Sequence, residues 1–430
     1  MIGNSAWEPP AAVSLEETIA LSNHVSTMPD LPINVREDLF RINALEMDWD
    51  IGVVVYEPQD SSKIPTGPDG KKAGVFLLHG GVSDFKSVDR IARTLPVKFG
   101  IKVATMTFPG RFYFLDPNRD WPGDVENADG TARTPLWTKE TRINPDQYTL
   151  VQDQSKREDY GTLVSLAAKE GTEFFHRMAA WPAAFEEAIK ETARRQFPHG
   201  EFSIYLHGHS TGGPFAMMAS QRVSNIAGLI GYGSSPFGWM YPVVSGDDWE
   251  FPFNQLRLRT WRDTARYMYE AMKDKGIGLP MLIELTFERW ENAKKRPNFK
   301  AEDFIHKNST RALESAARVS GARLKLNNYE TEALVQRYLG YTRELTGPGV
   351  KPVPNFLSIH GFNDDTVTLK RCEKSLPLFA KLDPAPRVRS ISLGAGVHTW
   401  GWTDEQLPQG IVPPVAKLWH DAIMNGFFSA

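Results

Sequence analysis

Cysteine is almost missing from this chain: Cys372 is the only one in 430 residues. That excludes an internal disulfide and any zinc site built on cysteines. In Lys370-Arg371-Cys372-Glu373 it falls in an expected helix, where a packing role is the plain reading. Long apolar runs are missing too, since no stretch approaches the ~18 residues of a membrane-spanning helix. No basic segment followed by an apolar one opens the chain, as a secretory leader would. A soluble chain of the cytoplasm is therefore expected. One-signed charge is also scarce. The 49 Lys and Arg nearly balance 52 Asp and Glu, for a net charge of −3. The basic residues are dispersed, so nothing invites nucleic acid. Internal repeats and low-complexity tracts are absent, and a homo-oligomer stays open.

What the sequence does contain is a serine between glycines at the end of an apolar run. Phe202 to Leu206 has strand composition, and Gly208-His209-Ser210-Thr211-Gly212-Gly213 follows it. Strand, sharp turn and helix in that order hold the serine in a strained backbone that exposes its hydroxyl. A Cβ at either flanking position would strike the neighbouring strand or the next helix. Pro214 falls in the helix's first turn, where its missing N–H is harmless. The motif alone is common in a chain with 34 glycines, so context decides. Upstream, Gly74 to Leu78 is a fully apolar run ending in His79-Gly80-Gly81, as a buried parallel strand would. Downstream, Asn355 to His360 runs into Gly361-Phe362-Asn363-Asp364-Asp365, and Val388 to Leu393 runs into Gly394-Ala395-Gly396-Val397-His398. Serine, acid and histidine, each just past a strand, follow one another in that order.

In these motifs the chain resembles the α/β-hydrolase superfamily, over residues 74–111, 178–236 and 355–425. The resemblance implies an α/β fold with a mostly parallel eight-stranded sheet between helices and a helical cap before the acid strand. It implies Ser210 as nucleophile, Asp364 as acid and His398 as base. Backbone amides of Gly81 and Thr211 would form the oxyanion hole. Asp365 is expected to cap the helix from Thr368 onward.

The length calls for an insertion rather than a second independent fold. Residues 1–236 are expected to be the first part of the core, 237–349 the cap and 350–430 the rest of the core. Residues 1–40 read as a polar extension with a helix at Ser14 to Ser22, and Leu39–Met47 and Trp49–Glu57 as antiparallel edge strands. Thr172 to Gln196 is the helix before the serine strand. Residues 112–150, rich in proline and aromatics, read as an excursion over the active-site face. The cap contains Trp239 and many other aromatics, with helical spacing at Arg262–Lys273 and Pro280–Arg296. Such stripes build cores as readily as pockets. With Trp400, Trp402 and His209 they suggest a sheltered, largely apolar substrate pocket. Arg111, Arg119 or Arg133 could meet a substrate carboxylate, although solvated surface charge is the plainer reading.

Hydrolysis of a moderately sized, partly apolar ester or lactone through an acyl-enzyme is the expected activity, with no cofactor and no metal. A serine acyltransferase, amide, carbamate or C–C hydrolysis would use the same triad. A metal hydrolase would draw on His79, His207, His209 and His360. A non-catalytic binding protein would keep the pocket and not the chemistry.

Overall fold

The computed structural model describes residues 8–80, 85–109, 125–126, 132–133, 145–157, 161–210, 212–234, 257–258, 280–285, 295–340, 351–403 and 406–429. Fifteen strands occur among them. In chain order they are β1 (Ala11–Val13), β2 (Ile33–Ala44), β3 (Met47–Pro58), β4 (Lys72–Leu78), β5 (Lys102–Met106), β6 (Val125–Glu126), β7 (Ala132–Arg133), β8 (Tyr148–Arg157), β9 (Gly161–Ala168), β10 (Phe202–His209), β11 (Ile226–Tyr232), β12 (Arg257–Leu258), β13 (Pro280–Leu285), β14 (Phe356–Gly361) and β15 (Val388–Leu393). Nine form the main sheet in the order β1-β15-β14-β11-β10-β4-β5-β3-β2. Seven of them, β1 to β5 in that order, run parallel, and β3 and β2 are antiparallel additions.

The central strands are apolar on both faces because helices cover both. Along β4, Val75 and Leu77 face one core and Phe76 and Leu78 the other, as the two-residue period of a strand demands. The first core is closed by α1 (Leu15–Thr27), α2 (Asp89–Phe99) and a C-terminal helix Val412–Met424. The second is closed by α3 (Glu173–Gln196), α4 (Gly212–Ser220), α5 (Ala301–Arg323) and α6 (Asn328–Leu339). With α7 (Leu369–Ser375), the C-terminal helix becomes α8. This is the α/β-hydrolase fold.

Three expectations need correction. The sheet has nine strands, because Ala11–Val13 of the supposed extension adds to the outer edge of β15. Three residues carry no readable alternation, so only the unpaired edge of β15 reveals them. Next, the segment 237–349 is not uniformly helical in its described part. Pro280–Leu285 is a strand, and with β12, β9 and β8 it makes a second, four-stranded sheet. A short apolar run fits either periodicity, and its parallel partner Gly161–Ala168 decides. Arg262–Lys273 and most of 112–150 lie outside the described residues.

Finally, α5 and α6 are part of the core. Ala312, Leu313, Ala316 and Ala317 of α5 and Leu334, Val335 and Tyr338 of α6 are buried with α3. They also grip the β2–β3 hairpin, whose turn residues Leu45 and Glu46 both have positive φ (52° and 59°) without being glycine or asparagine. The Leu45 carbonyl accepts from Tyr338 Oη at 2.5 Å and His176 Nε2 at 3.0 Å. Arg337 pairs with the Glu46 carboxylate and Arg323 donates to its carbonyl.

Candidate active site

Four strand ends meet at the C-terminal edge of the main sheet. At the end of β10, Ser210 has φ of +50°, in the left-handed region that an L-residue occupies only under constraint. The constraint comes from both sides of the turn. Ser210 N–H donates to the Tyr232 carbonyl of β11 at 3.2 Å, and its own carbonyl accepts from Gly213 N–H at 3.1 Å and Ser234 Oγ at 2.7 Å. A Cβ on Gly208 would lie 2.5 Å from the Gly212 carbonyl group, and one on Gly212 would lie 2.6 Å from the His79 oxygen. The turn closes only with glycine at both places. Ser210 itself is half-buried.

Past β14, Asp364 is 4% exposed. Its Oδ1 accepts from the amides of Thr366 (3.0 Å) and Val367 (2.8 Å). Its Oδ2 lies 2.9 Å from His398 Nδ1 and 3.5 Å from His360 Nε2. His398 stands in the loop after β15. The carboxylate therefore sets the imidazole tautomer: Nδ1 carries the proton and Nε2 is left to accept. Gly233 lies against this pair, since a Cβ there would fall 3.0 Å from Asp364 Oδ2 and 3.1 Å from His398 Nδ1. Asp365 does not cap α7. The cap position belongs to Thr368, which makes no side-chain cap bond, and Asp365 accepts from the Thr366 hydroxyl at 3.2 Å. Asp364, not its neighbour, has taken the turn's amides.

At the end of β4, His79 is fully buried and stacked on Phe108 with ring centroids 3.7 Å apart. Phe108 N–H donates to its Nε2 at 3.2 Å, so the proton is on Nδ1 and goes to the Gly80 carbonyl at 2.7 Å. His79 thus ties the β4 turn to the end of β5. Sequence reasoning missed this role, although a histidine before two glycines at a strand end was its visible signal. Gly81, Thr211 and Trp239 lie outside the described residues.

The expected pocket residues Trp400, Trp402 and His209 pack around the histidine loop. Trp400 is 6% exposed, stacked on Tyr232 (4.5 Å between centroids) and edge-on to Trp419. It supports the histidine loop from the core side and offers little surface to a ligand. Trp402 is half-buried against the same core. His209, 5% exposed, donates from Nε2 to the His398 carbonyl at 2.8 Å, which makes it a structural partner of the loop. Burial and the neighbouring His398 lower its pKa to about 4. Burial likewise lowers His207 and His360. Among the described residues no group of three or more His, Cys, Asp or Glu side chains is arranged to hold a metal. No described helix is long and apolar enough to cross a membrane. Cys372 is buried in α7, its thiol donating to the Ser234 carbonyl at 3.1 Å.

No family model and no curated protein matches the sequence. Among solved structures, the chain is similar to a thermostable carboxyl esterase from Bacillus coagulans (12% identity, 90% of this chain and 99% of that one, TM-score 0.40). It is similar to an esterase from Pyrococcus furiosus (12%, 97% and 100%, TM-score 0.36) and to an acylaminoacyl peptidase from Pyrococcus horikoshii (11%, 93% and 42%, TM-score 0.38). At these values the likeness carries no argument, and the fold assignment rests on strand order and helix layers.

Proposed function

We propose that this chain is a serine hydrolase that cleaves a carboxylic ester or lactone of moderate size and partly apolar character through an acyl-enzyme. The observation that carries the reading is the strained Ser210, held at φ +50° between close-packed glycines. With it goes an Asp364–His398 pair at 2.9 Å, carried past the strand ends of β14 and β15 in the same sheet. A serine hydroxyl is a weak nucleophile and needs a base within reach. His398 Nε2 takes the Ser210 proton as Oγ attacks the carbonyl carbon, then returns it to the leaving alcohol. Asp364 holds Nδ1–H and stabilises the imidazolium. Amides of Gly81 and Thr211 are the proposed oxyanion donors, each worth ~3 kcal/mol in comparable sites. Water, deprotonated by His398, then releases the acid.

The test is a fluorophosphonate probe with mass-spectrometric mapping, beside a series of p-nitrophenyl esters, lactones and anilides. Labelling is expected on Ser210 alone, and Ser210→Ala should lose at least about a thousandfold in kcat while staying folded. Retention of a tenth of the turnover would overturn the nucleophile assignment. Faster turnover of anilides than of esters would move the reading to amide hydrolysis.

A further inference from the structure

We propose that His209 and Tyr232 form a clamp that positions the base His398, a role that rests on reading Ser210 and His398 as nucleophile and base. The two residues are Cα partners in the β10–β11 register. Their two donors face three successive carbonyls of the histidine loop. Tyr232 Oη lies 2.5 Å from the Val397 oxygen and 3.2 Å from the Thr399 oxygen, and His209 Nε2 lies 2.8 Å from the His398 oxygen between them. That loop needs an external grip. It leaves β15 through Gly394-Ala395-Gly396, with Ala395 at φ +59°, a stretch with little conformational stiffness of its own.

The far edge of the His209 ring does a second job. Among the described residues its Nδ1 has no hydrogen-bond partner, and a Cβ on Gly80 would lie 3.2 Å from it and 3.5 Å from Ser210 Cβ. A side chain on Gly80 would crowd the imidazole, whose Nδ1 the Gly80 Cα–H faces. One ring therefore spans from the turn after β4 to the backbone of His398, passing beside Ser210. Trp400 closes the assembly, with its ring centroid 4.5 Å from that of Tyr232 and 5.6 Å from that of His209. Burial keeps His209 neutral near pH 7. A neutral ring suits the place, since a cation 5.0 Å from the His398 ring would oppose the imidazolium that catalysis must form. Displacement of a base by even ~1 Å can lower a rate ~100-fold, so the clamp acts on kcat rather than on substrate affinity.

Three variants test this: His209→Met, which keeps bulk and removes the donor; His209→Gln, which returns an N–H near the Nε2 position; and Tyr232→Phe, which deletes one oxygen. Steady-state kinetics on a p-nitrophenyl ester, the rate of fluorophosphonate labelling and Tm are measured for each. For His209→Met, kcat and labelling rate should fall about 30-fold with KM within about twofold, and His209→Gln should recover to within about threefold. Tyr232→Phe should lower kcat about tenfold at nearly unchanged Tm. The clamp is overturned if either His209→Met or Tyr232→Phe keeps wild-type kcat, or if His209→Gln falls as far as His209→Met. Should His209→Met not fold, Tyr232→Phe decides by itself. Ser210→Ala runs in parallel: wild-type turnover in that variant would sink the hydrolase reading, whereas Ser210-dependent turnover with an unaffected Tyr232→Phe would sink the clamp alone.

Discussion

Asp364 divides its labour between oxygens, Oδ1 holding the turn through the amides of Thr366 and Val367 and Oδ2 facing His398. Asn at this position can keep an oxygen on the two amides, but its NH2 then meets His398 Nδ1. That forces the proton onto Nε2, where the ring can no longer accept from Ser210. Asp364→Asn should therefore lower kcat by ~10³ or more with little change in Tm. Asp364→Ala also strands the two amides, and should lower stability by ~1–3 kcal/mol besides. Asp365→Ala should change neither by much, since its described bond is to the exposed Thr366 hydroxyl. Differential scanning fluorimetry beside kinetics separates the three. A Tm drop confined to Asp365→Ala would restore the capping role that the structure withdraws.

Among the elements, the segment 237–349 divides into a part that could be spared and a part that could not. Helices α5 and α6 bury Ala316, Ala317, Val335 and Tyr338 against α3 and hold the strained Leu45–Glu46 turn of the β2–β3 hairpin. Removing 237–349 as a whole should leave no folded enzyme, since the expected cap carries part of the core. A shorter cut, replacing 237–279 by a flexible linker, leaves β13, α5 and α6 in place. It should keep the circular-dichroism spectrum and turnover of small acetate esters while losing bulkier ones. Equal loss on both would make 237–279 structural. Within the retained part, Tyr338→Phe should cost ~1–2 kcal/mol of stability, because the Leu45 carbonyl loses a buried donor, and should leave kcat alone. A urea titration reads the first and a p-nitrophenyl ester assay the second.

At the scale of the whole molecule, four buried imidazoles shape the acid response between pH 6.5 and 4. Burial lowers His176 and His209 to about 4 and pushes His207 and His360 down as well. An unfolded histidine titrates near ~6.5, so between there and about 4 the unfolded chain binds protons that the native state refuses. Their contribution is complete above that window and is lost as pH falls through it. Each such proton adds a slope of about 1.4 kcal/mol per pH unit. Unfolding free energy from urea titrations should thus decline steeply from pH 6.5 to 4.5, and a flat profile over that range would contradict the buried, neutral assignment.

Short windows of sequence determined a good deal. The run Gly74–Leu78 before His79-Gly80, the strand Phe202–His209 with its serine turn, and the strands before Asp364 and His398 were all legible. So was helix Thr172–Gln196, from its alanine-rich composition, and the structure caps it at Thr172. These features depend on residues within a few positions of one another: apolar runs, glycines where backbones must touch, a cap beside its helix. Other features depend on what lies opposite, and only the tertiary structure decided them. Pro280–Leu285 is a strand because Gly161–Ala168 pairs with it, and Ala11–Val13 is one because β15 has a free edge. The left-handed Leu45–Glu46 turn persists because Tyr338, 293 residues from Leu45, meets its carbonyl. His209 binds the His398 backbone from 189 residues away. No local pattern encodes such partners, because hydrogen-bond geometry is set by where chain segments arrive in space rather than by their composition.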